Sequence, residues 1–398
     1  MRIGSADDAP HLTYCTNIHA GESWDDIFSR LEANLPAIKA EASPDDSMGV
    51  GLRLSAIAAE ALSASDRLEE FQAFLAEGGY YVFTINGFPY GPFHGQRVKE
   101  QVYQPDWSHD ERLTYSDRMA DLLAALLPDG MEGSISTVPG TFKPLASDPG
   151  MVESITDHLL CHVAKLIDVE RQTGKVIALA LEPEPCCFLE TIDETVAFFE
   201  QSLFSPAACR RLSGLTGLSS AAAETALRRH LGVCYDVCHA AVEYEAPSGS
   251  IEALRSAGIA IPKVQLSAAL RIPMVTPDTP ETLAGFDEPV YLHQVIERRG
   301  DGLVRHLDLP DALAALDQAL GHEWRVHFHV PIFLDELQHF STTQDFLRDI
   351  LALHRENPIS GHLEVETYTW DVLPERYRGV PVSTAIAREL NWVREELS

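Results

Sequence analysis

The chain has little positive charge, few cysteines and no long apolar run, and each shortage closes a class of function. Thirty lysines and arginines stand against 60 aspartates and glutamates in 398 residues, a formal charge of -30 at pH 7. Such a surface repels phosphate backbones, which argues against nucleic acid as substrate or partner. No apolar stretch is long enough to cross a bilayer, and the opening MRIGSADDAPHLTYC lacks a basic region followed by an apolar core. The expectation is a cytoplasmic protein without a membrane span. Seven cysteines, an odd number in a long chain, fit reduced thiols better than a disulfide framework. Cys234 and Cys238 flank Asp236 without zinc-ribbon spacing and read as buried spectators. Solenoid repeats and low-complexity tracts are also missing.

What is present is a rhythm. Apolar, strand-like runs alternate with amphipathic helical patterns along nearly the whole chain. The strand candidates are 12–19, 48–55, 80–86, 133–138, 176–182, 232–236, 263–267, 324–330 and 362–366. Alternation of this kind argues for a parallel sheet, and about eight repeats argue for a closed (β/α)8 TIM barrel formed by one domain over residues 1–398. Nine candidates are one too many; either 324–330 or one of the first four is accessory. Between about 271 and 322 the rhythm breaks into a proline-rich stretch and two strand-like runs around Arg299–Gly302, which reads as an inserted hairpin after a late strand. Its roles divide between a lid over the site and a surface elaboration or arm of a homodimer.

The chemistry gathers where apolar runs stop. GVCYDVCHA, 232–240, places Asp236 and His239 three residues apart at the end of a buried strand that would not hide them without partners. At the C-terminal end of a parallel strand, Asp236 would face the crevice where ligands bind, with His239 on the loop beyond. A divalent metal satisfies both; so does an Asp that merely caps the next helix. VIALALEPEP ends in Glu182 and Glu184, where Pro183 and Pro185 stop the ladder. GHLEVETYTW alternates so that His362, Glu364 and Glu366 share one face, with Glu366 nearest the mouth.

Other polar residues sit at predicted strand ends. His19 closes the first, Asn86 the third with His94 in the following loop, and Gln265 lies in KVQLSAAL. WRVHFHVPIF sends His327 and His329 to one strand face by alternation. A single histidine is more often a rim or core residue with a bonded partner; several at strand ends point to a site. The loop 86–95, with three glycines, two prolines and three aromatics, suits a pocket wall facing an apolar or sugar-ring surface.

LEPEP, VCYDVCHA and LEVETYTW, in that order, resemble the xylose isomerase-like superfamily of TIM barrels, which includes sugar isomerases, ketose 3-epimerases and nucleases of the endonuclease IV type. The opening LTYCTNIHAGESW and the close LEVETYTWDVLP resemble the metabolite-traffic (EboE-type) proteins of the bacterial Ebo cluster more closely. The resemblance implies metal ligands at Glu182, Asp236 and Glu366 with His239 beside them. Where most isomerases add a histidine ligand this chain has Gln265, and His329 is the alternative donor. An oxygen-rich set of this kind suits Mn²⁺ or Mg²⁺, with Zn²⁺ or Co²⁺ if a histidine joins. Glu182 and Glu366 would act as ligand and base, and His239 would orient substrate or hold Asp236. His19, Asn86, His94, Glu184, Glu190 and His327 would contact a small polyhydroxylated metabolite. Three classes follow: a metal-dependent isomerase or epimerase, a phosphoesterase of the nuclease type, and a metabolite-binding or traffic protein without turnover.

Overall fold

The computed structural model describes residues 1–4, 9–95, 97–146 and 149–398. Seven parallel strands follow one another: β1 (His11–Tyr14), β2 (Met48–Arg53), β3 (Tyr80–Asn86), β4 (Gly133–Thr137), β5 (Ile177–Leu181), β6 (Leu231–Asp236) and β7 (Ala260–Leu266). Six short strands come next: β8 (Leu270–Ile272), β9 (Val295–Arg299), β10 (Gly302–His306), β11 (Glu323–Val326), β12 (Glu336–Leu337) and β13 (Phe340–Thr342). The last is β14 (His362–Val365). The order β1-β14-β7-β6-β5-β4-β3-β2 is parallel throughout, and a bridge between Cys15 and Gly51 joins its two ends. This is a (β/α)8 TIM barrel with helices between its strands.

The strands form because their residues suit burial on both faces. Along β5, Ile177, Leu179 and Leu181 alternate with Ala178 and Ala180, and all five are buried. Ala178 and Ala180 are in register with Ser134 and Ser136 of β4, which in turn face Thr84 and Asn86 of β3. Small inward residues on this side leave room for long polar ones from the other. Gly51 is the tightest point of the seam: a Cβ there would collide with the Glu364 carboxylate and the Tyr14 carbonyl. Helix 24–42 opens with a capping box between Ser23 and Asp26, and helix 192–198 with one between Thr191 and Glu194.

A second, antiparallel sheet in the order β10-β9-β11-β8-β13-β12 lies between β7 and helix 344–356. The ninth strand candidate belongs here, because Glu323–Val326 pairs with β8 and β9 rather than with the barrel. The expected hairpin is β9 and β10, turning at Gly300 with φ +60°. β8, β12 and β13 have two or three residues each, too few to carry a periodic signal. Trp324, Val326, Val295 and Leu270 are buried in the same core as the barrel strands, so the sheet is packed onto the barrel. The first strand is shorter than the sequence suggests: it ends at Tyr14, and a 3-10 turn over Thr16–Ile18 carries His19 away from its end. Among the described residues no helix is long and apolar enough to cross a membrane.

Candidate active site

Three carboxylates converge where the barrel strands stop. Glu182 follows β5 directly; its amide donates to Thr137 O at 3.1 Å, and Pro183 ends the pairing. Asp236 is the last residue of β6, and its Oδ1 accepts from the His239 amide (3.0 Å) and the Ser267 hydroxyl (2.8 Å). It is therefore the cap of the short helix 237–242 as well as a site residue, and the two readings of Asp236 are not exclusive. Glu366 follows β14, and its Oε1 accepts from Asn17 Nδ2 (2.8 Å) and Asn86 Nδ2 (3.0 Å). One oxygen from each carboxylate lies within 4.8 Å of the others. All three residues are at most 4% exposed, and Glu182 Oε2 and Asp236 Oδ2 are buried without a hydrogen-bond partner.

So much negative charge in so little space cannot stay fully ionised without a counter-cation. Burial, then the nearby Asp236, pushes the Glu182 carboxyl well above its usual range; burial, then Glu182 and Asp236, does the same to Glu366. Asp236 goes the other way: burial opposes ionisation, but His239 and His329, with the amide and hydroxyl bonds, hold it below the usual value. Buried oxygens lacking partners and a surplus of carboxylates are what a hard divalent cation accommodates.

Beside the carboxylates three imidazoles meet. His239 Nδ1 lies 2.9 Å from Pro183 O, and His329 Nδ1 2.9 Å from Glu366 O. Carbonyls only accept, so both Nδ1 atoms carry the proton. His327 Nδ1 lies 2.7 Å from Gln294 Oε1, and the Gln294 amide nitrogen donates to Tyr103 OH, Glu184 Oε1 and Pro185 O, which assigns that orientation. The Nε2 atoms of the three rings lie on the other side. They face one another, with His239 to His327 at 3.1 Å and His327 to His329 at 3.3 Å. Burial, then neighbouring imidazoles, holds His327 well below its ordinary pKa, and burial takes His329 down to about 4. Histidines with Nδ1 bonded to oxygen present Nε2 in the orientation of metal ligands. Asp236 reaches both groups, since it clusters with His239 and His329 as well as with Glu182 and Glu366.

Above lies a half-open pocket with a cavity volume of about 50 Å³. Glu182, Glu184, Glu366, His239 and His327 form its polar part; Phe88, Phe93, Tyr291 and Tyr368 form an apolar wall. Tyr103 OH donates to Glu184 Oε1 at 2.7 Å. Lys99, also lining the pocket, pairs with Asp308 of the inserted segment at 2.6 Å.

The structure thus brings together Glu182, Asp236, Glu366, His239, His327, His329, Asn86 and Glu184. It does not bring three of the expected contacts to the pocket lining. His19 bonds to Tyr14 OH at 3.0 Å, and His94 Nε2 lies 2.7 Å from Asn17 O behind the wall. Glu190 pairs with Lys143 (2.6 Å) and Arg305 (3.0 Å). Gln265 is aligned with Asp236 on the neighbouring strand, its Oε1 accepting from Cys234 Sγ at 3.1 Å and its Nε2 left without a partner. His327 and His329 meet although the strand ends at Val326, so loop geometry rather than strand alternation pairs them. Asn17, Lys99, Tyr103, Tyr291 and Gln294 escape sequence reasoning because all five come from turns and loops.

No family model and no curated protein matches the sequence. In structure the chain is similar to a xylose isomerase-like TIM barrel protein from Mycobacterium smegmatis in complex with magnesium, at 13% identity and a TM-score of 0.52, covering 98% of this chain and 96% of that one. It is also similar to an L-ribulose 3-epimerase (12% identity, 98% and 94% covered, TM-score 0.47). A third likeness is to the IolI protein with a zinc atom (13%, 98% and 98%, TM-score 0.46). The first likeness establishes a shared fold.

Proposed function

We propose that the protein is a metal-dependent isomerase or epimerase acting on a small polyhydroxylated metabolite in the cytoplasm. The observation that carries this reading is the carboxylate trio at the strand ends, where Glu182 Oε2 and Asp236 Oδ2 are buried without partners beside Glu366. Glu182, Asp236 and Glu366 would hold the ion, with His329 as the imidazole donor in place of the histidine for which this chain has Gln265. The carboxylates favour Mn²⁺ or Mg²⁺, and the imidazoles favour Zn²⁺ or Co²⁺. When bound, such an ion polarises a substrate carbonyl and the hydroxyl beside it.

The rest is the work of this chain's own groups. Asn17 and Asn86 occupy one oxygen of Glu366 and fix the carboxylate, leaving Oε2 for proton transfer. Glu182 presents its own free oxygen from another strand. One of the pair takes the proton from the carbon next to the carbonyl, the electron pair passing to the carbonyl oxygen as an enediolate forms; the other returns a proton, to the opposite face in an epimerisation. The aromatic wall would cover the apolar face of the metabolite and keep water out.

The test starts from metal content, then screens ketoses, aldoses and small polyols with Mn²⁺, Mg²⁺ and Co²⁺ in D₂O. Deuterium should enter the carbon beside the carbonyl, and Glu182→Gln or Glu366→Gln should abolish the exchange. A metabolite that binds tightly and never exchanges transfers the protein to the carrier class, in keeping with the resemblance to the Ebo-cluster traffic proteins. Several tightly held zinc ions with hydrolysis of phosphodiesters would transfer it to the phosphoesterase class, against which the charge of -30 argues.

A further inference from the structure

Beneath the carboxylates, at the centre of the barrel, lies an ion pair that the proposed chemistry does not use. Lys263 of β7 and Glu364 of β14 meet at 2.5 Å, and both side chains are completely buried. Lys263 Nζ also donates to Ser136 Oγ of β4 at 3.2 Å, so one ammonium spans the barrel from β7 to β4. Below it His362 Nδ1 lies 2.8 Å from Ser134 Oγ, which donates to Thr84. The interior is a polar shaft, neutral at the base, with the ion pair at mid-height and the three carboxylates at the mouth.

As a stabilising device the pair is a poor choice. Two charges lose their hydration, and apolar side chains of similar volume commonly serve a core as well or better. Burial works against the ammonium, and Glu364 more than reverses it, so Lys263 remains charged. On β14 Glu364 stands two residues before Glu366, and Lys263 is in register with Cys234, two residues before Asp236 on β6, so both charges lie one layer beneath the mouth. The barrel also makes space for the pair: Glu364 fits only because position 51 is glycine. Beneath the trio the pair places one positive and one negative group, Lys263 and Glu364.

We propose that Lys263 is a positioning residue, a resident cation under the carboxylate trio that sets how strongly the mouth attracts a divalent ion, with Glu364 as its counterweight. This rests on the reading of the trio as a metal centre. Removing either half of a merely structural pair would disturb the mouth in the same direction, whereas two charges that tune the ion would shift its affinity in opposite directions. Mn²⁺ affinity, read by electron paramagnetic resonance on the full chain, separates the cases, with thermal melting as the control for folding. Lys263→Met should bind Mn²⁺ at least about tenfold more tightly, and Glu364→Gln at least about tenfold more weakly. The double variant K263M/E364Q removes the pair as a neutral unit and should return to within about threefold of the parent. If both single variants move the affinity in the same direction, or neither moves it while the melts show folded protein, the proposal is overturned and the metal centre stands. If a single variant does not fold, the double variant decides, and a shift of tenfold or more there overturns the proposal. If the parent chain takes up no Mn²⁺, the metal centre falls and takes this proposal with it.

Discussion

The two halves of the site are built on different principles. Its carboxylates stand at the ends of β5, β6 and β14, where a parallel ladder fixes each Cα against its neighbours. Two of its imidazoles stand on chain that has left its ladder: past β11, His327 is tied by its amide to Gln294 O and Val330 to Ala268 O. A repeating lattice places the acids; single bonds from an inserted segment place the bases. The first arrangement is rigid and repeated around the barrel. The second can change without disturbing the fold, which makes the imidazole half the place where ion preference and substrate choice would be adjusted.

The largest expected effect comes from the one residue common to both halves. Asp236→Asn keeps the oxygen that caps helix 237–242 and deletes the charge, so it should lower divalent-ion affinity by about a hundredfold or more while the melting curve stays near that of the parent. An unchanged affinity would separate the two halves. Next, His329→Ala should reduce Zn²⁺ or Co²⁺ affinity about tenfold or more and Mg²⁺ affinity less, as imidazole donors prefer the transition metals. Gln265→His should leave both nearly unchanged, since Cys234 already engages the Gln265 side chain; a gain in Zn²⁺ affinity would assign the missing ligand position to residue 265 instead.

A third measurement probes the joint between the halves. Glu389 accepts from Ile332 N (3.1 Å), just beyond the imidazole loop, and from Thr367 Oγ1 (2.8 Å), just beyond Glu366. Burial raises its carboxyl from 4.5 to about 7. The folded protein therefore holds this proton more tightly than the unfolded chain, and the associated stability is present below pH 4.5 and fades as pH rises to 7. The wild type should lose up to about 3 kcal/mol from this group across that window. Glu389→Gln should not share the loss, which urea unfolding at pH 5 and pH 8 would read. The smallest effect is expected at the expected contacts left outside the pocket: His19→Gln and His94→Gln should alter metabolite or ion affinity by less than about threefold, below 0.7 kcal/mol. A tenfold loss at either position would mean that the wall moves on binding.

The carboxylate half was legible in the sequence because ladders leave a record. A buried strand is apolar, and the glutamates and aspartate that break β5, β6 and β14 stand out against it. Pro183 marks the break at β5. The imidazole half was legible only in part: WRVHFHVPIF paired His327 with His329, but through a strand that stops at Val326. Gln294 and Tyr103, which fix the tautomer of His327 and hold Glu184, left no signal, since nothing periodic constrains a loop. Lys263 was visible inside a strand and drew no attention because its partner lies 101 positions away, on β14.

Chain order adds a consequence of its own. Glu366 is held by Asn17, 349 positions earlier, and by Asn86, 280 positions earlier. A chain leaving the ribosome has made Glu182, Asp236 and all three histidines before β14 exists, so no partly made product can assemble the full set of donors. The strand that brings Glu366 also closes the barrel between β1 and β7. Capture of the proposed ion would therefore be a late event in maturation, one that rewards only finished molecules and slows their reopening. Young and complete copies would differ in how they respond to a chelator long before they differ in shape.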